Sequence, residues 1–344
     1  MATQPNAHPA DPSALATTLN DMITGLRKTQ LLSVAAKLGI ADLLHDGAKS
    51  SDELAHAVGA HPRALYRVLR ALAGLGVFAE TTEGRFALTP LATLLQSGVP
   101  GSQRASAIWW GEAWQWQAYG ALLYSVQTNR SAFEHAHGLP FYTYMDQHAD
   151  AAASFNAWMM SATVFDAAAI ATAYDFSRIA TLIDVGGGQG MLLTTLLHAY
   201  PQMRGILFDL PTTVEGAREG IASAGLASRC TLVAGDFFTE VPRGGDVYTI
   251  KDVIHNWDDA RAITLLKNCR QAMAPEARLL LVERVIAPEH GPASALLDIT
   301  VLVNTGAGER TEAEHRALLQ AAGFTLTAII PTPSGRSIIE GAPV

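Results

Sequence analysis

The sequence has 344 residues, of which 49% are hydrophobic, so the chain can form two domains with sizeable cores. Its formal net charge of −8 argues against a general nucleic-acid-binding protein, and no apolar run approaches the about eighteen residues that a membrane-spanning helix needs. The two cysteines, Cys230 and Cys269, have no CxxC partner, which argues against a disulfide framework or a thiolate zinc site. Residues 1–13 show neither the basic start nor the apolar stretch of a signal peptide, so we expect a cytoplasmic protein.

Residues 12–98 have the pattern of short helices followed by a hairpin, which is typical of a winged helix. The predicted elements are an amphipathic helix over Leu31–Leu44, a helix from Asp52 capped by Ser51, a helix opened by Pro62, and a two-stranded wing formed by Val77–Ala79 and Arg85–Leu88.

A winged helix raises the possibility of DNA binding. Arg63, Arg67 and Arg70 share one face of the helix that Pro62 opens. However, residues 1–100 contain eight basic and eight acidic residues, whereas a DNA-binding domain usually has a strong basic excess. We therefore expect residues 1–100 to form a winged-helix-like dimerisation domain with no nucleic-acid partner.

Residues 101–173 are expected to be mostly helical and are rich in aromatic side chains. Five of the six tryptophans lie in this region: Trp109, Trp110, Trp114, Trp116 and Trp158. Aromatic residues in such a stretch mostly pack in the core, but their position just before a glycine-rich segment favours a pocket for a flat aromatic ligand. We therefore expect a helical connector that contributes to a substrate pocket.

Residues 174–344 show strands alternating with helices from Thr181 onwards. The predicted strands are Leu182–Val185, Gly205–Phe208, Cys230–Ala234, Asp246–Ile250, Arg278–Val285 and Phe324–Ile330. This alternation predicts an α/β domain with a doubly wound, mostly parallel sheet covered by helices on both faces.

The segment Leu182–Gly190, with the sequence LIDVGGGQG, predicts a nucleotide-type site. A short apolar strand ends near an acid, glycines fall at positions 186, 188 and 190, and an apolar helix begins at Met191. A dinucleotide-binding fingerprint would place its third glycine at position 191. The tighter Gly-x-Gly-x-Gly spacing instead looks like the S-adenosylmethionine loop of Rossmann-like methyltransferases, although glycine-rich turns also occur as plain connectors.

Ligands of open α/β sheets bind at the carboxyl ends of the strands, so the residues after each strand are candidates for the site. Asp209 follows the second strand and can accept hydrogen bonds from both hydroxyls of a ribose. After the third strand, Asp236 can accept from an adenine amino group while Phe237 packs on the ring. Each could be an ordinary turn residue, but the glycine segment upstream favours ligand binding.

His255 lies in the segment Lys251–Asp259 after the fourth strand, where the glycine segment also opens. Histidine is the side chain best suited to exchange a proton near neutral pH. Glu283 and Glu309 could be surface acids; if they reach His255, they would fix its tautomer and support its charged form. Asp258 and Asp259 could be metal ligands, but we expect them to cap the helix that follows.

Five segments together resemble the plant-type, metal-independent small-molecule O-methyltransferases, a family that includes caffeate, isoflavone and acetylserotonin methyltransferases and many bacterial natural-product enzymes. The segments are Asp184–Gly190, Phe208–Pro211, Gly235–Phe238, Lys251–Asp259 and Glu309–Thr311. The resemblance covers nearly the whole chain. It implies a Rossmann-like domain that uses S-adenosylmethionine, releases S-adenosylhomocysteine, needs no metal, and methylates an aromatic small molecule of secondary metabolism. It also implies a homodimer formed through the N-terminal domain.

The resemblance further implies roles for individual residues. His255 matches the catalytic base, and Glu283 and Glu309 match the two acids beside it. The residues that match the cofactor shell are Asp184, Gly186, Gly188, Gly190, Asp209, Leu210, Asp236, Phe237, Lys251 and Trp257. Those that match acceptor-binding positions are Phe155, Met159 and Asn304.

One position departs from the family pattern. Asn256 stands where many relatives have an acid, which leaves open how the loop of His255 is held. Some bacterial relatives lack the histidine and methylate nitrogen or perform other chemistry, so the presence of His255 favours O-methyl transfer. Two alternatives remain: an N- or C-methyltransferase of the same fold, and a ligand-sensing regulator that uses the winged helix to bind DNA.

Overall fold

The computed structural model describes residues 11–286 and 291–344. The chain divides into two compact units, one ending at Trp116 and one beginning at Gln117. This boundary lies within the predicted connector 101–173, and the three-part division of the sequence stays a prediction. Among the described helices, none combines the length and the apolar character needed to cross a membrane.

The first unit is mainly helical and contains a small sheet. Its elements are α1 (Pro12–Ile23), α2 (Gly25–Lys37), α3 (Ile40–Leu43), β1 (Lys49–Ser50), α4 (Ser51–Val58), α5 (Pro62–Gly74), β2 (Phe78–Glu80), β3 (Arg85–Leu88), α6 (Pro90–Thr93) and α7 (Arg104–Trp109). The three strands are antiparallel in the order β1-β3-β2, and β2 and β3 form the predicted wing. Leu65, Leu69 and Leu72 of α5 are buried against this sheet, as their shared stripe predicts.

Two local predictions in this unit were wrong. The single helix expected over Leu31–Leu44 is two helices, because Gly39 adopts a left-handed φ of 63° that ends α2 and starts α3. The helix expected to begin after Ser51 begins at Ser51 itself. Its cap is Ser50, whose hydroxyl accepts from the N–H of Glu53 while the Glu53 carboxylate accepts from the N–H of Ser50.

The second unit starts with helices and continues as an α/β domain. Its helices are α8 (Ala113–Gly120, which contains the unit boundary), α9 (Leu122–Thr128), α10 (Ala132–His137), α11 (Phe141–Gln147), α12 (Ala149–Ala173), α13 (Met191–Ala199), α14 (Pro211–Ser223), α15 (Asp259–Ala272), α16 (Pro292–Thr305) and α17 (Glu312–Ala321). A 3₁₀ turn spans Ile254–Asn256. The strands are β4 (Thr181–Val185), β5 (Arg204–Asp209), β6 (Cys230–Ala234), β7 (Val247–Lys251), β8 (Arg278–Glu283), β9 (Val285–Ile286), β10 (Arg310–Thr311), β11 (Phe324–Pro331) and β12 (Ser337–Pro343).

Seven of these strands form one sheet in the order β11-β12-β8-β7-β4-β5-β6. Strands β8, β7, β4, β5 and β6 run parallel to one another, whereas β12 is antiparallel to both β8 and β11. The predicted doubly wound, mostly parallel sheet is therefore confirmed. The strand β12 was not predicted. The strand expected over Arg278–Val285 ends at Glu283, because the next strand, β9, leaves the large sheet and pairs with β10.

Helices cover both faces of this sheet. Along β8, Leu279 and Leu281 pack in the cluster that contains α15 and α17, whereas Leu280 and Val282 pack in the cluster that contains α13. This alternation is the signature of a strand buried on both faces. It leaves the carboxyl ends of β4, β5, β6, β7 and β8 at one edge of the sheet, and the candidate site lies there.

Candidate active site

The glycine loop after β4 is held close to its neighbours. Gly186, Gly188 and Gly190 all have φ between +58° and +77°, a region that side chains rarely adopt. At Gly187, a Cβ atom would lie 2.4 Å from Leu207 Cδ1 and 2.6 Å from Asp184 Oδ2. The N–H of Gly186 donates to the carbonyl of Phe208 at 2.8 Å. The loop is therefore a cradle that no larger residue could form.

Asp184 supports the loop from beneath. Its carboxylate is 1% exposed, and its Oδ1 accepts a hydrogen bond from Thr249 Oγ1 at 2.7 Å. Burial raises the pKa of Asp184 to about 6, against the opposing effects of Thr249 and Lys251. The side chain predicted to belong to the cofactor shell thus lies against Gly187 of the loop, and its hydrogen-bond partner is Thr249 of β7.

Asp209 ends β5 beside the glycine loop. Its Oδ2 accepts from the N–H of Gly188 at 2.8 Å and its Oδ1 from the N–H of Leu210 at 2.7 Å. Burial raises the pKa of Asp209, and the two backbone donors oppose that shift. Each carboxylate oxygen has further acceptor capacity, so the pair can bind two neighbouring hydroxyls. Leu210, which is 38% exposed, precedes α14 at the same point.

The rings of Phe237, Phe238 and Trp257 form an aromatic wall next to the glycine loop. The rings of Phe237 and Trp257 have centroids 6.3 Å apart, and Phe238 meets Trp257 edge to face at 4.7 Å. The Arg261 guanidinium lies 4.6 Å from the Trp257 ring centroid. Asp236 is exposed, and its Oδ1 accepts from the N–H of Phe238. A Cβ on Gly186 would lie 3.6 Å from Phe237, so the wall and the loop are in contact.

His255 lies in the 3₁₀ turn after β7, between two acids. Its Nδ1 is 2.7 Å from Glu283 Oε2 and 3.4 Å from Glu309 Oε1. The other oxygen of Glu283 accepts from the N–H groups of Val253 and Ile254, at 3.0 Å and 2.9 Å. The fully buried Glu283 carboxylate therefore contacts both the backbone of the turn and the imidazole.

The two acids decide the electrostatics of the imidazole. Burial by itself lowers the pKa of His255, but Glu283 and Glu309 outweigh it and hold that pKa well above its ordinary value. When the ring is neutral, its proton stays on Nδ1 facing the acids, which leaves Nε2 as the basic nitrogen. Burial also raises the pKa of Glu309, while the neighbouring imidazole lowers it.

Asn256 has a specific contact that an ionised acid could not make. Its Nδ2 donates to the carbonyl of Asp252 at 3.0 Å. Asp252 itself has a left-handed φ of 54°, an uncommon conformation for a residue other than glycine. The amide therefore closes the turn of His255 at the point where the backbone is strained.

Asp252, His255 and Glu283 each present a ligand-type atom within 4.8 Å of the others, a spacing that a metal ion could use. The carboxylate of Asp252 is already paired with Lys251 and with Arg336, whose Nε lies 2.8 Å from Oδ1. A divalent cation would have to displace two buried cations, so this donor set does not favour one.

The remaining predicted residues lie on three elements. Phe155 and Met159 lie on α12, and Asn304 is buried near the end of α16, where its carbonyl accepts from Ser131 Oγ at 2.8 Å. The ammonium of Lys251 is buried and contacts Asp252 and two residues of α12.

Sequence reasoning missed Tyr142 on α11. Its ring lies nearly parallel to that of Trp257, with centroids 6.0 Å apart, and 6.4 Å from that of Phe155. Burial raises the pKa of Tyr142, and the charges of Asp209, Asp252 and Glu283 raise it further. The phenol therefore stays neutral beside acids from both halves of the site. Nothing in the sequence distinguishes it from the neighbouring aromatic residues.

Two family models match the chain. The model of an O-methyltransferase domain matches residues 119–325, and that of an O-methyltransferase dimerisation domain matches residues 20–98. The chain is 46% identical over 331 residues to a phenazine O-methyltransferase of Lysobacter antibioticus, with 96% of this chain and 97% of the relative covered. It is 37% identical over 344 residues to an 8-amino-8-demethylriboflavin N,N-dimethyltransferase of Streptomyces davaonensis, with 99% and 98% covered. Its relatives therefore include enzymes that methylate nitrogen.

A solved structure of similar fold carries both a cofactor and an aromatic ligand. It is an O-methyltransferase from neocarzinostatin biosynthesis in complex with S-adenosylmethionine and 2-hydroxy-5-methyl naphthoic acid. The TM-score is 0.81 at 30% identity, with 92% of this chain and 96% of that chain covered.

The residues at this site fit S-adenosylmethionine. A Cβ on Gly187 would collide with buried atoms, so the loop lies close against the core, whereas the Cβ position of Gly188 has no atom within 4 Å. The anchored carboxylate of Asp209 can accept from ribose hydroxyls. The aromatic wall of Phe237 and Trp257 offers a surface for an adenine ring. The chain therefore belongs to the O-methyltransferase family and is an S-adenosylmethionine-dependent methyltransferase of secondary metabolism.

Proposed function

We propose that this protein methylates a hydroxyl group, most simply a phenolic one, of an aromatic small molecule, with His255 as the general base. The observation that carries the proposal is the placement of the imidazole between Glu283 and Glu309 at the carboxyl edge of the sheet. A nitrogen acceptor is already nucleophilic when neutral, whereas a hydroxyl needs a base. The orienting pair of acids is therefore best explained by an oxygen acceptor.

The proposed mechanism assigns a proton-transfer role to His255. The bound cofactor supplies a methyl group on a positively charged sulfur. Nε2 of the neutral imidazole takes the hydroxyl proton, so that the oxygen electron pair forms the new bond to the methyl carbon as the carbon–sulfur bond breaks. A phenol has a pKa of about 10, so the base is needed near neutral pH and contributes roughly 10²–10⁴-fold. The elements that hold the two reactants in line supply about 7–11 kcal/mol in well-oriented systems.

The other residues of the site bind and orient the reactants. We assign cofactor binding to the glycine loop, with Asp184 beneath it, and to Lys251 at the end of β7. Asp209 and Leu210 would contact the ribose. The adenine would lie against Asp236, Phe237 and Trp257. We assign the acceptor to Phe155, Met159 and Asn304. The contacts of Tyr142 with Trp257 and Phe155 support its inclusion between the two groups.

Product analysis tests the acceptor atom. Purified protein is incubated with labelled S-adenosylmethionine and a panel of hydroxylated and amino-substituted phenazines and naphthoic acids. These are the ring types in the names of a relative and of the ligand of a similar structure. Mass spectrometry that shows an O-methyl ether supports the proposal. An N-methyl product would replace it with the activity that the aminoriboflavin relative represents, and a C-methyl product would replace it with C-methyl transfer.

We also propose a homodimer formed through the N-terminal unit. Helix α1 has no buried residue, and it exposes Leu15, Leu19, Met22 and Ile23, which are 57–72% accessible. Their spacing places them on one face of the helix. An apolar stripe of this kind is typical of an interface. The match of residues 20–98, which include Met22 and Ile23, to a dimerisation domain supports a second copy as the surface that covers the stripe.

A further inference from the structure

Four charged residues form a closed ring of ion pairs beside the site. Asp166 comes from α12, Lys251 and Asp252 from the end of β7, and Arg336 from the turn between β11 and β12. Arg336 Nη1 lies 2.7 Å from Asp166 Oδ1, and its Nε lies 2.8 Å from Asp252 Oδ1. Lys251 Nζ lies 3.4 Å from Asp166 Oδ2 and also contacts Asp252 Oδ2. Each charge touches two of the opposite sign, and the ring is neutral.

The ring is buried from solvent, so each of its charges depends on its ion-pair partners. The side chains of Asp166, Asp252, Lys251 and Arg336 are 2%, 5%, 7% and 12% exposed. A buried ion pair adds little net stability compared with apolar packing, but loss of one partner leaves an uncompensated buried charge. Such a ring is therefore better suited to fixing the relative positions of three elements than to stabilising the fold.

One side of the ring holds the helix that we assign to the acceptor. Phe155, Met159, Thr163 and Asp166 are spaced by four, four and three residues, so they lie on one face of α12. The hydroxyl of Thr163 accepts from Lys251 Nζ at 3.2 Å. The face that carries Phe155 and Met159 is thus attached to the end of β7.

The other side holds the turn of His255. Asp252 begins this turn in a left-handed conformation, its N–H donates to the carbonyl of Val282, and its carbonyl accepts from Asn256. A strained backbone persists only where its surroundings determine it, and here the ion pairs to the Asp252 side chain supply that constraint. The ring therefore constrains the residue at which the turn of His255 begins.

We propose that this ion ring is a positioning device for methyl transfer, which fixes the acceptor face of α12 against the turn of His255. Asp166, Asp252 and Arg336 are its positioning residues, and they act through placement of the acceptor and the base. The inference rests on the proposed function, because it takes α12 as the acceptor helix and His255 as the base.

The first test is Asp166→Asn, which keeps the shape of the side chain and leaves the ring with one excess positive charge. We expect kcat to fall about 10²-fold, the cost typical of a misplacement of about 1 Å, and the acceptor to bind more weakly to the complex with S-adenosylhomocysteine. Calorimetry should show a smaller loss of affinity for S-adenosylhomocysteine than for the acceptor, because Lys251 of the cofactor shell keeps its ion pair with Asp252. The matched control is Glu215→Gln, which neutralises an exposed ion pair with Arg218 on α14 and should leave all three values unchanged.

A merely structural ring would give a different pattern. Its loss would lower Tm, while kcat and acceptor affinity of the folded enzyme, measured well below Tm, would match the wild type; that result would overturn the proposal. If Asp166→Asn does not fold, Arg336→Lys and Arg336→Gln are compared instead. Lysine keeps the ring neutral but lacks the second nitrogen, so it should restore part of the kcat that glutamine loses. Full activity of both variants would also contradict the proposed positioning role of the ring.

His255→Gln separates this inference from the function on which it rests. If His255→Gln is slow and Asp166→Asn is not, the ring proposal fails and the base assignment stands. If His255→Gln turns over like the wild type, the assignment of the base fails, whatever the ring variants show.

Discussion

At the scale of single residues, substitution of His255 separates an effect on proton transfer from an effect on cofactor binding. We expect His255→Gln to lower kcat by about 10²–10⁴-fold, because glutamine cannot take the hydroxyl proton. Its affinity for S-adenosylhomocysteine should remain, since the glycine loop and Asp209 are built from other elements. Steady-state kinetics with an identified acceptor and calorimetry measure the two quantities. Unchanged turnover would show that His255 is not the base.

The acids around His255 also predict a pH dependence. The groups that face the imidazole are Glu283 from β8, Glu309 before β10 and Asp252 at the end of β7. They hold the pKa of His255 well above its ordinary value, and only the neutral ring can act as a base. The kcat/KM of the wild type should therefore rise with pH through that elevated pKa.

Glu309→Gln removes one of the negative charges that stabilise the imidazolium. The pKa of His255 should fall, so the rising limb of the kcat/KM profile should move to lower pH. The comparison uses an acceptor whose own hydroxyl does not ionise in the range studied. A profile that stays in place, or moves to higher pH, would show that Glu309 does not set the charge of the base.

How far the sequence predicts the site depends on where each residue lies in the chain. Asp209, Asp236 and His255 each lie at or just after the end of a strand. Because parallel strands end at one edge of the sheet, where ligands bind, their positions in the sequence are enough to make them candidates. Tyr142 and Arg336 reach the site through the packing of α11 and of the β11–β12 turn, which no local pattern encodes. They lie near the proposed site because of tertiary packing, which their residue types do not reveal.

At the scale of elements, the glycine loop depends on close approach as much as on turn geometry. Gly187→Ala would place a Cβ 2.4 Å from Leu207 and 2.6 Å from the buried oxygen of Asp184. We expect weaker binding of S-adenosylhomocysteine and a lower Tm, because neither neighbour can move without opening the core. The matched control is Gly220→Ala on α14, where a Cβ meets nothing within 4 Å and the helix should gain about 0.5–1 kcal/mol. Binding by Gly187→Ala equal to the wild type would contradict this view of the cradle.

Prediction of elements succeeded where one physical signal dominated. The parallel strands are short, rich in apolar residues and bounded by turns, so β4 to β8 were placed within one or two residues. Strand β12 was missed because its apolar residues follow a short turn and its partner β8 lies far away in sequence. The break at Gly39 was missed because an amphipathic pattern continues across it, and a single glycine within a helical pattern does not by itself end a helix.

At the scale of the whole molecule, all the site residues that we propose lie in the second unit, while the first unit presents an apolar surface. Every cofactor-shell, base and acceptor residue proposed here lies between Tyr142 and Glu309. The first unit has its own core under the small sheet, yet α1 contributes no buried residue to it. Exposed apolar side chains in a stripe cost solubility, so they persist where another surface covers them.

This surface leads to a test of the oligomeric state. Leu19→Asp places a charge in the middle of the α1 stripe, next to Leu15 and Met22. Burial of an unpaired charge in an apolar interface is strongly unfavourable, so light scattering should show a dimer for the wild type and a monomer for the variant. Thr17→Asp, on the opposite face of α1, introduces the same charge and should stay dimeric. A dimer in both variants would place the interface elsewhere, and a monomeric wild type would leave the stripe for a different partner.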